Sequence, residues 1–382
     1  MSQPESPEKS ASPNKTALYD FHLEQGGKIV DFAGWLLPVN YKQGIIAEHL
    51  WCREKTVLFD VSHMGQIEIK GDGAAAALEK LVPSAIQTLK KGNARYTVLL
   101  NKDGGIEDDL IVANTVNAQD QDILFAVVNA SRFQHDYDYL TQHLDAGIEL
   151  NILEDQALLA LQGPLSEAVL SALCSGVEAL NFMETGWFIW NGVKLRVSRL
   201  GYTGEDGFEI SLPAASAHDF ANILVAHEDC IAAGLGARDS LRLEAGLCLY
   251  GNDLDDQITP VEANLSWIIQ KSRRIEGGFK GAANIQDQLS DHPKRLLMGI
   301  QPQGRAPARR GVEILSLDGS VIGHITSGGF SPSQSKPVSM GFVAYDHAKA
   351  DQAILLKVRD KQLPATLVNL PFVPHRYKRK SK

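Results

Sequence analysis

Cysteine is scarce in this chain: four residues in 382, Cys52, Cys174, Cys230 and Cys248, scattered with no CxxC or metal-ligand spacing. That excludes a disulfide framework and a zinc module, and predicts four separate, buried, reduced thiols. The eleven histidines contain no HExxH pair, so no metal site is expected. No apolar run approaches the roughly 20 residues of a membrane-spanning helix, so no membrane partner is expected. Neither GxGxxG nor GxxxxGK[ST] follows a strand-like segment, which removes the dinucleotide fold and the phosphate-binding loop. With a formal net charge of −9, the surface as a whole is no magnet for nucleic acid.

What is present is ordinary globular material: 44% hydrophobic and 22% charged residues over a length that suggests two or three domains. The first fifteen residues, MSQPESPEKSASPNK, are Ser-, Pro-, Glu- and Lys-rich and read as a disordered tail over 1–15. They hold no apolar core for a signal peptide. Their acids and missing arginine argue against a mitochondrial transit peptide, so a cytoplasmic location is expected. Helix-like and strand-like segments then alternate irregularly over 16–278, with Ala17 to Gln25 and Ile45 to Glu54 reading as helices. A boundary is expected near Gly277 to His292. Beyond it, strand-like pieces near Leu296, Val312, Val321, Val338, Ile354 and Ala365 predict a small β-barrel or sandwich over 292–377.

The clearest hairpin runs from Ala94 to Leu100, turns through Asn101-Lys102-Asp103-Gly104-Gly105, and returns as Ile106 to Ala113. Side chains alternate along the return strand, so Ile106, Asp108, Leu110 and Val112 share one face. Glu107, Asp109, Ile111 and Ala113 share the other. Both faces turn apolar, which carries two adjacent acids into the interior from opposite sides. Such a placement is costly unless the carboxylates are paired, hydrogen-bonded or used.

Three further segments hold chemistry-bearing residues. Gly201-Tyr202-Thr203-Gly204-Glu205-Asp206-Gly207-Phe208-Glu209 reads either as a plain hairpin loop or as amides cradling an anion. In Gly236 to Gly246, Arg238 and Arg242 share a helix face, and Asp239 is expected in the first turn. His63, in Asp60-Val61-Ser62-His63-Met64, reads as a hydrogen-bonded strand-end histidine, with catalysis as the sharper alternative.

The ordered set DFAGWLLPVNY (31–41), FDVSHMG (59–65), GGIEDDL (104–110), LQGP (161–164), GYTGEDGFEI (201–210), GARDSLRLEAGLCLYGND (236–253) and TSGGFSPS (326–333) resembles the T-protein family of the glycine cleavage system. The resemblance spans roughly residues 17 to 377, and the order of motifs carries its specificity.

That resemblance implies an α+β, three-lobed cloverleaf around a central folate channel, with a small β-barrel as the last lobe. It implies transfer of the carbon of an aminomethyl group, carried on the lipoyl arm of H-protein, to tetrahydrofolate, with release of ammonia. Asp109 then takes the catalytic position. Tyr96, Asn129, Tyr202, Glu209, Arg238 and Tyr377 match folate contacts, with Arg376 or Arg379 as alternatives to Tyr377. Glu107 stands where the family commonly has an apolar residue, and its charge is expected to shift the titration of Asp109. H-proteins are generally acidic, so docking is expected on the basic residues Lys271, Arg273, Arg274, Arg309, Arg310 and the terminal Lys/Arg run. For the terminal run, plain solvated charge serves equally well. Another folate-dependent demethylase or one-carbon transferase on the same fold is the rival. Folate-binding relatives that assist iron–sulfur assembly carry a Lys-Gly-Cys tripeptide, which is absent here.

Overall fold

The hairpin around Asp103 seeds an antiparallel sheet in the computed structural model, which describes residues 12–380. Its strands stand in the order Asn93–Leu100, Ile106–Val116, Asp122–Val128, Gly65–Lys70, Glu149–Ile152. The expected alternation sends side chains into two different cores. Leu110 and Val112 pack with Ile67, Leu99 and Leu124, while Ile111 and Ala113 pack with Phe59, Phe125 and Leu158.

A second sheet has the order Thr185–Trp190, Val193–Ser198, Gly207–Pro213, Gln156–Gln162, Thr56–Asp60, Cys230–Ala232, and its last pair is parallel. Alternation again splits the side chains. Leu58, Leu159, Leu161, Phe208 and Ile210 meet Phe220 and Leu224 of the helix Ala214–Val225. On the other face Val57, Leu158 and Ala160 meet Phe125 and Val127 of the first sheet. The two sheets therefore share one apolar layer, to which the helix Leu235–Glu244 adds Ala237 and Leu241. Each fully buried Leu or Phe in that layer contributes roughly 1.5–3 kcal/mol.

The C-terminal strands Arg295–Pro302, Lys336–Ala344, Val321–Ser331, Glu313–Leu315, Ala353–Val358 and Lys361–Val368 close into a barrel. Closure follows because Arg295–Pro302 pairs with both Lys336–Ala344 and Lys361–Val368, which leaves no open edge. Ile300, Ile314, Ile325, Val343, Ile354 and Leu367 fill its interior. The chain is thus mixed α+β with a closed six-stranded barrel at its C-terminal end.

Buried charge locks these parts together. Glu244 accepts from Arg53 Nη2 at 2.8 Å, from Ser331 Oγ at 2.6 Å and from Ser333 N at 3.0 Å. One carboxylate so joins two helices of the N-terminal region to a barrel hairpin.

Two expectations need correction here. Residues 1–11 of the proposed disordered tail lie outside the described residues, but Asn14 and Lys15 form a short strand parallel to Trp35 and Leu36. Backbone pairing with an existing hairpin orders a segment whose composition supplies no core. Asp239 does not sit in the first helical turn, because the helix begins at Leu235. It instead accepts from Arg242 Nε at 2.9 Å.

Candidate active site

Register places the acids. Asp109 lies opposite Val98, and Leu110 opposite Val128, so Asn129 at the next strand's end reaches the DD pair. Asn129 Nδ2 donates to Asp109 Oδ1 at 2.8 Å and to Asp108 Oδ1 at 2.9 Å. Tyr96, on the partner strand, lies beside Asp109, and the two groups bear on each other's titration. Asp108 is sealed at 0% exposure, whereas Asp109 is half-buried. Burial, then the adjacent Asp108 charge, lifts the Asp109 carboxyl to about 7 against hydrogen bonds that lower it. A carboxyl so poised can hold or release a proton near neutrality.

Glu209 projects from Gly207–Pro213, opposite Ala160 and Ser198, into the gap between the two sheets. It shares a narrow void there with Ile111, Phe125, Leu158 and Leu200. Burial raises its carboxyl and the Arg238 guanidinium lowers it, while no protein donor contributes. Arg238 lies 4.9 Å over the Tyr202 ring, and its buried Nη1 has no acceptor among the described residues. Tyr202 is held by its hydroxyl donating to the carbonyl of Cys248. An acceptor without a protein donor therefore lies within electrostatic reach of a donor without an acceptor. A planar heterocycle carrying both functions fits that pair, with the Tyr202 ring as a flat neighbour.

The GYTGEDG loop is no anion cradle. Glu205 is fully buried and pairs with Arg53 at 2.8 Å and Arg376 at 2.6 Å. Its outer glycines serve close approach: a Cβ on Gly201 would come within 1.9 Å of Gln162 Oε1, and one on Gly207 within 2.5 Å of Gln162 Nε2. That explains why the loop and the LQGP segment occur together.

The tail leaves the barrel and crosses the N-terminal region. Arg376 N donates to Gly204 O at 2.8 Å, and Phe182 N donates to Lys378 O at 2.8 Å. Tyr377 stacks on Phe182 with centroids 4.0 Å apart and planes 6° from parallel. Asp109 is thus flanked by Asn129 and Tyr96, and Glu209, Tyr202 and Arg238 form a second group. Tyr202 lies within electrostatic reach of Asp109 and links the two groups. Tyr377 makes no described contact with either.

Other expectations change. His63 is not satisfied by hydrogen bonding, because its buried Nδ1 has no partner among the described residues. The Phe32 ring meets it edge-on at 5.7 Å, and burial with the nearby Arg238 charge pushes it down to about 4. Glu107 is paired with Arg132 at 3.4 Å and His135 at 3.2 Å, so Asp108, not Glu107, shifts Asp109. Arg273 is buried, 3.4 Å from Glu79, and is not a docking residue. Sequence reading also missed Trp267, 64% exposed and stacked on Tyr96 at 5.9 Å, and Asp136 behind Asp108. No local motif marks either one. A tryptophan left without a core to enter was the only available signal for the first.

Known proteins match this geometry closely. The GCVT N-terminal domain family matches residues 18–273, and the glycine cleavage T-protein C-terminal barrel domain matches residues 295–374. A probable mitochondrial aminomethyltransferase of Schizosaccharomyces pombe is 43% identical over 373 residues, covering 96% of this chain and 95% of that protein. The mitochondrial aminomethyltransferase of Pisum sativum is 42% identical over 372 residues, covering 95% and 90%. The crystal structure of the glycine cleavage system aminomethyltransferase T of Bartonella henselae superposes with a TM-score of 0.90 at 38% identity, covering 96% of this chain and all of that one. The curated relatives being mitochondrial overturns the cytoplasmic expectation, which rested on the composition of the first fifteen residues. Composition there does not decide compartment. Matched over nearly all its length by both domain families and by these relatives, the chain belongs to the glycine cleavage T-protein family of aminomethyltransferases.

Proposed function

We propose that this chain transfers the carbon of an aminomethyl group from the lipoyl arm of H-protein to tetrahydrofolate. Ammonia leaves, and methylene-tetrahydrofolate and the reduced lipoyl dithiol form. The observation that carries this reading is Asp109: half-buried, held by Asn129 at 2.8 Å, beside Tyr96, with its carboxyl lifted by burial and Asp108 to about 7. Tetrahydrofolate supplies the accepting ring nitrogen, and Asp109 orients that nitrogen and manages its proton. Asn129 and Tyr96 fix the carboxylate, so that positioning and electrostatics contribute alongside proton transfer.

Glu209 accepts hydrogen bonds from the aminopterin edge in this reading, and the free Nη1 of Arg238 takes an acceptor of the same ligand. Tyr202 presents its ring to the folate. Tyr377 serves the aminobenzoyl-glutamate end; its stacking on Phe182 supports a fixed aromatic there. The three-lobed arrangement around a folate channel belongs to the same reading, as does a mitochondrial location. One assay tests it: methylene-tetrahydrofolate formation from aminomethylated H-protein, with dimethylglycine and a sulfonium donor run in parallel. Turnover with H-protein alone supports the assignment. Preference for either small donor replaces it with a demethylase.

A further inference from the structure

Behind Asp109 stands a second acid pair that the transfer chemistry leaves unused. Asp108, the preceding strand residue, and Asp136, on the helix Phe133–His143, are both at 0% exposure. Their carboxyls are in hydrogen-bond contact. Two ionised carboxylates have no hydrogen to share, so one of the two is a carboxylic acid.

The surrounding donors decide which. Asp108 accepts from Asn129 twice, from Nδ2 at 2.9 Å and from the backbone N–H at 3.3 Å. Asp136 has nothing comparable. Its Oδ2 meets no donor among the described residues, and its Oδ1 meets only the His135 ring, at 3.2 Å. Charge is stable where donors converge, so the proton belongs on Asp136.

We propose that Asp108 and Asp136 hold one proton between them, with Asp136 as the acid, and that Asp136 is a positioning residue that keeps a fixed negative charge on Asp108 beside Asp109. The proposal rests on the reading of Asp109 as the proton-handling group.

Most other charge near the pair is engaged elsewhere; what bears on Asp136 is the His135 ring at 3.2 Å and the field of Arg132, which works against burial. Arg132, on the turn before the helix, donates to Glu107 O at 3.2 Å and lies 5.2 Å over the Tyr250 ring. Arg132 also pairs with Glu107 on the strand at 3.4 Å, and the His135 ring lies 3.2 Å from the same carboxylate. Lys280 sits over the Tyr139 ring at 4.5 Å. On the far side of Asp109, Tyr96, Tyr202 and Cys248 are all pushed up by burial and stay neutral. Asp108 is therefore the nearest uncompensated charge that Asp109 meets. Burial and then the hydrogen bond with Asp108 push the Asp136 carboxyl up to about 10, in keeping with an acid that stays protonated during turnover.

The test compares two replacements. Asp136→Asn retains a donor toward Asp108 and leaves its charge in place. Asp136→Leu removes the donor, so Asp108 takes up its own proton and its field on Asp109 disappears. The acid limb of kcat/KM should then move to lower pH by about one unit or more in Asp136→Leu, and stay near the parent's in Asp136→Asn. The folate KM should change little in both. Equal shifts in both variants, or a shift in neither, overturn the proposal.

Should Asp136→Leu fail to fold, infrared spectroscopy decides without turnover. In the Asp109→Asn background, slightly alkaline solution should show one protonated-carboxyl carbonyl band, lost on adding Asp136→Asn. A band absent from the parent, or surviving that substitution, refutes the shared proton. Because the band does not depend on activity, a failure of the Asp109 assignment would leave it unchanged, and the two failures are distinguishable.

Discussion

Asn129 donates to Asp109 at 2.8 Å through the same nitrogen that reaches Asp108 at 2.9 Å, so one amide aligns both acids. Asp109→Asn should keep that shape and lose the ionisable group. Tetrahydrofolate binding should stay near normal, while turnover falls by ~10²–10⁴-fold, the usual contribution of a placed proton-transfer group. Calorimetry and single-turnover assays check the two halves. If Asp108→Asn loses its rate while Asp109→Asn keeps most of it, the half-buried acid is not the working one.

The pH dependence follows from the same environment. The Asp109 carboxyl is raised to about 7 by burial and by Asp108, so its protonated fraction grows as pH falls through neutrality. If the ionised form is required, kcat/KM should rise along a limb centred near that pH in the parent and be flat there in Asp109→Asn. A parent limb centred near the ordinary carboxylate range would mean that the field of Asp108 does not reach the working group.

Glu209→Gln should weaken folate binding more than it slows transfer. The carboxylate presents two acceptors, whereas the amide turns an NH₂ toward a donor and leaves both unmatched. That mismatch costs on the order of 1–3 kcal/mol. Unchanged affinity by calorimetry would remove Glu209 from the pterin pocket.

Much of this site is legible in single strands. The alternation from Ile106 to Ala113 places Asp108 and Asp109 on opposite faces, and the two faces do enter different cores. Helix bounds at Ile45–Glu54 follow from local pattern, as do the six C-terminal strands. What escapes is long-range. Nothing near Asp136 points to Asp108, 28 positions earlier, because register across the sheet and one helix docking bring them together. The constraint on Gly201 and Gly207 escapes for the same reason: it is Gln162, on another strand. Lys271 to Arg274 looked like one basic cluster, yet helical geometry turns Arg273 inward to Glu79 and leaves its neighbours outside.

Glu244 gives a stability prediction with a definite sign. Burial would raise its carboxyl, but His49, Ser331 and Ser333 hold it down to about 2. Its folded pKa is below the unfolded value near ~4.3, so its contribution is present above that pH and lost as pH falls toward 2. Glu244→Gln should cost about 1.5–3 kcal/mol near neutrality, the worth of hydrogen bonds to a charged group. Urea unfolding should show the gap to the parent closing below about pH 4. A gap that stays constant down to acid pH would mean that the network does not depend on this charge.

Docking of H-protein supplies the last prediction, narrowed by the structure. With Arg273 buried, the basic residues left outside are Lys271, Arg274, Arg309 and Arg310. Arg310 donates to Asn252 at 2.8 Å, two positions from Tyr250, and Arg274 lies over the carbonyls of Ser266 and Ile269 beside Trp267. Arg274 thus borders Trp267, which stacks on Tyr96, and positive charge there is well placed to draw an acidic partner to that side of the site. The terminal lysines are less available, since Lys378 pairs with Glu167 and Lys380 with Glu184, each at 2.7 Å. Against the net charge of −9, an acidic partner needs such a local patch to approach. Raising salt to physiological strength, where screening shortens to ~8 Å, should raise the KM for H-protein while folate affinity stays level. Arg274→Glu with Arg310→Glu should reproduce that rise at low salt. A salt-independent KM, or charge reversals without effect, would move the docking surface elsewhere.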